Sequence, residues 1–111
     1  MSEPPREQWI GVALRADLRG GAMIAVEFGD YRIALYDVAG EIFATDSTCT
    51  HAQALLTDGT LQGETVECPL HGGRFSVRTG QGLGPPIPCG LKTYPVRVID
   101  DEIQVRVADI F

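Results

Sequence analysis

Apolar residues recur at every second position along several short segments of the chain. Every second position is apolar in 22–28, 31–35 and 103–107, a two-residue period that is typical of β-strands. Turn-forming pairs separate such segments and predict antiparallel hairpins: Gly29-Asp30, Ala39-Gly40 and Asp100-Asp101. No segment has the period of a long helix, and at most one helical turn is expected, at 52–56. The pattern therefore predicts an all-β, antiparallel, single-domain protein.

Residues 46–90 have a different character. Alternation is weaker there, and the segment contains most of the glycines, all three cysteines and both histidines. Loops held by a rigid β scaffold are where binding and chemistry usually concentrate. We therefore expect a functional site in this segment.

The 111-residue chain has nine Lys+Arg and fifteen Asp+Glu, a net charge of −6. Because this charge repels phosphates and no basic cluster occurs, binding to nucleic acid or to anionic membranes is not expected. No apolar run is long enough to cross a membrane, and the N-terminus lacks the pattern of a secretory signal. Three cysteines make a poor disulfide framework and fit a reducing compartment. We expect a soluble, cytoplasmic monomer.

Two short motifs carry the candidate chemistry. Cys49-Thr50-His51 and Cys68-Pro69-Leu70-His71 are separated by sixteen residues and contain the only histidines of the chain. Zinc fingers usually pair like ligands around one ion, whereas the order Cys, His, Cys, His suits two adjacent metal ions. One ion would take Cys49 and Cys68, and the other His51 and His71. A zinc site remains an alternative, because two cysteines and two histidines also bind zinc.

These motifs resemble those of the Rieske ferredoxins, in which two histidines replace two cysteines on one iron of a [2Fe–2S] cluster. The resemblance is closest to the small ferredoxins of bacterial aromatic-ring-hydroxylating dioxygenase systems. It is carried by Cys49-Thr50-His51, by the run Glu-Cys-Pro-Leu-His-Gly-Gly-Arg-Phe at 67–75 and by Thr79-Gly80. It implies one [2Fe–2S] cluster per chain, held by four ligands: Cys49, His51, Cys68 and His71.

The same resemblance implies the architecture. The chain would form one domain over 1–111, a Rieske-type antiparallel β sandwich or barrel with its β base at 8–45 and 91–108. A loop-rich cluster-binding subdomain would occupy about 46–90, and the proline-rich segment 84–88 would cover the cluster. Cys89 has no histidine after it and is not expected to be a ligand.

The ligand set implies an electron carrier. Four protein ligands leave no open position for a substrate, and no histidine is left for a second iron site, so we expect no enzymatic activity. By resemblance, the chain would pass single electrons from an NAD(P)H-dependent flavin reductase to a terminal Rieske non-heme iron oxygenase that attacks an aromatic ring. A Rieske-like small subunit of a nitrite reductase and a structural zinc module remain as alternatives.

The resemblance also predicts a low reduction potential. High-potential Rieske proteins carry a serine and a tyrosine after the second histidine, and the hydroxyls of these residues donate hydrogen bonds to sulfur. In this chain the corresponding residues are Gly73 and Phe75. Donors to sulfur stabilise the reduced cluster, so their absence places the expected potential at the low end of the Rieske range.

The loops expected around the histidines are 50–55, 69–73 and 84–88. They contain no Asp, Glu, Lys or Arg, so we expect a small apolar tip that docks briefly on partner proteins. The acidic residues elsewhere would steer the chain toward basic partner surfaces.

Overall fold

The computed structural model describes residues 7–18, 23–29, 31–48, 54–69, 72–83 and 90–108. These residues form β-strands and two single-turn 3₁₀-helices, at Arg15–Asp17 and Leu56–Asp58, so the all-β prediction is confirmed. The second turn lies slightly later than the expected 52–56. None of the described helices is long and apolar enough to span a membrane. The strands are β1 (Glu7–Leu14), β2 (Met23–Phe28), β3 (Tyr31–Val38), β4 (Glu41–Asp46), β5 (Thr60–Gln62), β6 (Thr65–Glu67), β7 (Arg74–Ser76), β8 (Thr93–Tyr94), β9 (Val96–Ile99) and β10 (Glu102–Ala108).

The strands form three antiparallel sheets. Their orders are β1-β10-β9, β2-β3-β4-β8 and β5-β6-β7. The predicted hairpin turns at 39–40 and 100–101 are confirmed, and Ala39, Gly40, Asp100 and Asp101 all have positive φ angles. Two consecutive left-handed residues match the right-handed twist of the adjoining strands. The local sequence therefore determines these two hairpins.

The central sheet, β2-β3-β4-β8, is covered on both faces. On one face, Ile33 and Leu35 of β3 share a buried core with Ile103 of β10. On the other, Ala34 and Tyr36 of the same strand belong to a second core, which also contains buried residues of the small sheet and its loops. This second core, here called the loop-side core, comprises Ala34, Tyr36, Ala54, Leu56, Val66, Cys68, Phe75, Val77 and Leu91.

Arg78 contacts both the small sheet, β5-β6-β7, and the central sheet. Its Nη2 donates to Glu64, in the β5–β6 turn, over 2.7 Å and to Glu41, on β4, over 3.3 Å. Its guanidinium also lies 4.8 Å from the centre of the Phe43 ring on β4. Because these partners belong to two sheets, one exposed side chain links the small sheet to the central one.

Candidate metal centre

The structure describes one of the four predicted ligands, Cys68. Cys49, His51 and His71 lie outside the described residues, as do Cys89 and the proline-rich segment 84–88. The described residues form the framework from which three loops depart: 49–53 (the first loop), 69–72 (the second) and 84–89 (the third). Of the second loop, residues 69 and 72 are themselves described.

Cys68 directly follows β6 and is 1% exposed, within the loop-side core. Its backbone N–H donates to the carbonyl oxygen of Gly73 over 2.6 Å, which closes the second loop at its base. Gly72 has a φ of 68°, in the left-handed region that glycine adopts without a steric penalty. The β6–β7 hairpin and this closed turn together determine where the segment containing His71 begins and ends.

The first loop is also pinned at its base. Thr48 and Leu55 form an antiparallel bridge on either side of it. One residue further out, the N–H of Leu56 donates to the carbonyl oxygen of Ser47 over 2.8 Å. The segment that contains Cys49 and His51 therefore leaves and re-enters the fold at one point.

Asp46 anchors the start of the first loop. It is the last residue of β4, three positions before Cys49. Its N–H donates to the carbonyl oxygen of Lys92 over 2.9 Å, and its carboxylate accepts a 2.5 Å hydrogen bond from the Tyr94 hydroxyl. Burial, together with the adjacent Asp46 carboxylate, raises the pKa of Tyr94 above its usual value. The phenol is therefore a protonated donor at neutral pH.

A buried hydroxyl chain leads to the same residue. The Thr45 hydroxyl donates to the Asp46 carbonyl oxygen over 2.8 Å. Since its one proton is used there, the Tyr36 hydroxyl is the donor in the 2.8 Å contact with Thr45 Oγ1. Burial raises the pKa of Tyr36 to about 12. No local pattern predicts this chain of hydroxyls, because Thr45 and Asp46 stand in the sequence only as an ordinary polar pair.

The third loop is anchored by backbone contacts at both ends. Before the loop, the N–H of Leu83 donates to the carbonyl oxygen of Arg74 over 2.8 Å. After the loop, the N–H of Leu91 donates to the carbonyl oxygen of Gly80 over 2.7 Å. Gly80 has a φ of 78°, and a Cβ there would lie 2.1 Å from the Leu91 carbonyl oxygen. The return of the chain therefore requires glycine at this position.

The anchors of the three loops meet in one place. Ala54, which follows the first loop, Cys68, which begins the second, and Leu91, which follows the third, all lie in the loop-side core. Leu55 and Leu83 adjoin the first and third loops and are 40% and 39% exposed. The described framework thus brings the attachment points of the three loops together at one core, with exposed apolar residues next to two of them.

The described residues fit a [2Fe–2S] group. Cys68 offers its thiol from an apolar, water-excluded core, and thiolates are the ligands that iron–sulfur clusters use. The two sequence motifs would supply a second thiolate and two imidazoles. Gly73 is buried and Phe75 is fully buried in the core that contains Cys68, so neither of these two positions supplies a hydroxyl group.

Comparison with known proteins gives a consistent result. The model of the Rieske [2Fe–2S] domain family matches residues 8–95. The ferredoxin component of the naphthalene 1,2-dioxygenase/salicylate 5-hydroxylase systems of a Ralstonia species is 43% identical over 100 residues, which cover 90% of this chain and 96% of the relative. The ferredoxin of Sphingomonas yanoikuyae B1 superposes with a TM-score of 0.84 at 37% identity, covering 88% of this chain and 97% of that one.

A further solved structure contains an assembly. The chain superposes on one from the complex of reduced oxygenase and oxidised ferredoxin of carbazole 1,9a-dioxygenase. The TM-score is 0.82 at 38% identity, and the alignment covers 87% of this chain and 91% of that one. The likeness therefore extends over nearly the whole of both chains.

Proposed function

The chain belongs to the Rieske [2Fe–2S] domain family, its cofactor is a [2Fe–2S] cluster, and we propose that it is the ferredoxin component of an aromatic-ring-hydroxylating dioxygenase system. In this role it receives single electrons from an NAD(P)H-dependent flavin reductase and delivers them to a terminal Rieske non-heme iron oxygenase. The observation that carries the proposal is the 43% identity to a ferredoxin component over 96% of that relative's length.

We assign the cluster ligands from the two motifs. Cys49 and Cys68 hold one iron, and His51 and His71 hold the other. The burial of Cys68 and its place at the base of the closed second loop support this assignment. When bound, the cluster supplies a centre that takes up and releases one electron at a time. The chain's own residues hold that centre, exclude water from Cys68 and fix the loop ends.

The protein is an electron carrier and not an enzyme, like its relatives among the ferredoxin components of dioxygenase systems. The nitrite reductase and zinc-module alternatives are less supported, because curated relatives at 43–45% identity are dioxygenase ferredoxins.

A cytoplasmic location is part of the proposal, supported by the odd number of cysteines. So is the cluster-binding subdomain at about 46–90, supported by the small sheet and the three loops that lie within it.

The test is purification under anaerobic conditions followed by reconstitution. We expect a red-brown protein with two iron atoms and two sulfides per chain, whose visible absorption is bleached by dithionite. It should then restore substrate turnover by the reductase and terminal oxygenase of a naphthalene 1,2-dioxygenase system from which the native ferredoxin is omitted. A colourless protein with one zinc per chain would refute the proposal.

A further inference from the structure

Lys92 is the only lysine of the chain, and two aromatic rings hold its exposed ammonium group. Its Nζ lies 5.3 Å from the centre of the Tyr94 ring and 5.9 Å from that of Tyr31. The two rings contact each other edge to face, with their centres 6.0 Å apart. The hydrogen bond from Tyr94 to Asp46 then fixes the pair. A cation over such rings is attracted to their faces, so this lysine has less freedom than an ordinary surface lysine.

Lys92 belongs to the framework from which the three loops depart. Leu91, its neighbour in sequence, is buried in the loop-side core with Cys68. The carbonyl oxygen of Lys92 accepts the hydrogen bond from the N–H of Asp46, which lies three residues before Cys49. Lys92 is thus tied to the start of the first loop and follows the end of the third.

Within the described part of the fold, the charge of Lys92 is not paired with a carboxylate. The salt bridges among those residues are made by Arg15 and Arg78, and none involves Lys92. The nearby Asp46 carboxylate accepts from Tyr94 instead. In a chain with a net charge of −6, this leaves a fixed positive group on the framework from which the three loops depart.

We propose that Lys92 is a docking residue that pairs with a carboxylate on the terminal oxygenase, an inference that rests on the proposed function. The oxygenase is the partner that fits, because the related carbazole dioxygenase ferredoxin forms a complex with its oxygenase in a solved structure. A cation already held in place loses little side-chain freedom when it forms an ion pair. On an acidic body that favours basic partner surfaces, one fixed cation also sets the orientation of the complex.

The kinetic test mixes the dithionite-reduced protein with oxidised terminal oxygenase and follows the second-order rate of electron transfer against ionic strength. An exposed ion pair contributes little free energy, so Lys92→Gln should slow transfer only about 1.4- to fivefold at low salt, and Lys92→Glu more. Lys92→Arg should retain the wild-type rate. The differences should shrink as salt is added, because the Debye length falls to about 8 Å at physiological ionic strength.

Arg97→Gln is the matched control. It removes the same charge from a cation that is also stacked on an aromatic ring, 4.3 Å from the centre of Trp9 on the β1-β10-β9 sheet. It should leave the rate unchanged. All variants should keep the wild-type visible spectrum and reduction potential, which a role of Lys92 in holding the cluster would alter.

A chemical test identifies the contact directly. A carbodiimide joins an amine to a carboxylate only when the two are in contact, and Lys92 is the one side-chain amine available. Mass spectrometry of the treated complex should find Lys92 linked to an Asp or Glu of the oxygenase. The proposal would be overturned if the Lys92 variants reduce the oxygenase at the wild-type rate and with the wild-type salt dependence. It would also be overturned if these variants slow only the electron transfer from the reductase. Failure of the wild-type protein to reduce any dioxygenase oxygenase would instead refute the proposed function.

Discussion

The backbone N–H of Cys68 donates to the carbonyl oxygen of Gly73 over 2.6 Å, and this contact closes the loop that contains His71. A predicted thiolate ligand and the turn next to a predicted imidazole ligand are therefore held by one backbone hydrogen bond. The ends of the other two loops meet Cys68 in the loop-side core, so loss of the metal centre should disturb all three loops together.

The first prediction concerns the ligands. Replacement of Cys49, His51, Cys68 or His71 by Ala should abolish the visible spectrum and the bound iron and sulfide. It should also destabilise 46–90, because metal-binding free energy contributes to folding. Cys89→Ala is the control and should retain the wild-type iron content. Loss of iron in that variant would contradict the ligand assignment.

The second prediction concerns the reduction potential. We expect a wild-type value near the low end of the Rieske range, roughly −150 mV. Phe75→Tyr combined with Gly73→Ser should raise it, because Gly73 is hydrogen-bonded to Cys68, Phe75 shares the core of Cys68, and a hydroxyl donor to sulfur stabilises the reduced cluster. Phe43→Tyr, the same change beside Arg78, should not. Voltammetry that gives a clearly positive wild-type potential would contradict the argument.

The third prediction concerns the buried pair Tyr36 and Thr45. Thr45→Val removes the acceptor of the Tyr36 hydroxyl in a fully buried site and should lower the free energy of unfolding by about 1–3 kcal/mol. Adding Tyr36→Phe removes the stranded donor, so the double variant should be more stable than the sum of the single effects predicts. Denaturant unfolding followed by circular dichroism measures the stability of the single and double variants. Strictly additive losses of stability would argue against coupling between Tyr36 and Thr45.

The fourth prediction concerns the exposed leucines beside the loops. Leu55→Glu and Leu83→Glu place a charge on the apolar surface where we expect partners to dock, and they should slow electron transfer with both the reductase and the oxygenase. Val98→Glu is the control, because Val98 is similarly exposed, at 43%, but lies on β9. Equal electron-transfer rates in the Leu55, Leu83 and Val98 variants, with intact clusters, would exclude docking on the apolar surface beside the loops.

The sequence by itself determined what depends on neighbouring residues. The alternation in 31–35 and 103–107 reports strands because successive side chains of a strand point to opposite faces. The turns at 39–40 and 100–101 follow from residues that adopt positive φ. The family could be identified from two motifs only a few residues long, since ligand type and spacing are local properties of the chain.

Only the tertiary structure decided which distant residues meet. Alternation identifies β3 as a strand, but its burial on both faces depends on the small sheet, whose strands were too short to show a period. Tyr94 reaches Asp46 across 48 positions of sequence, and the ring held by that contact carries the Lys92 cation. No local pattern records such a pairing, because it arises from packing between segments that are remote along the chain.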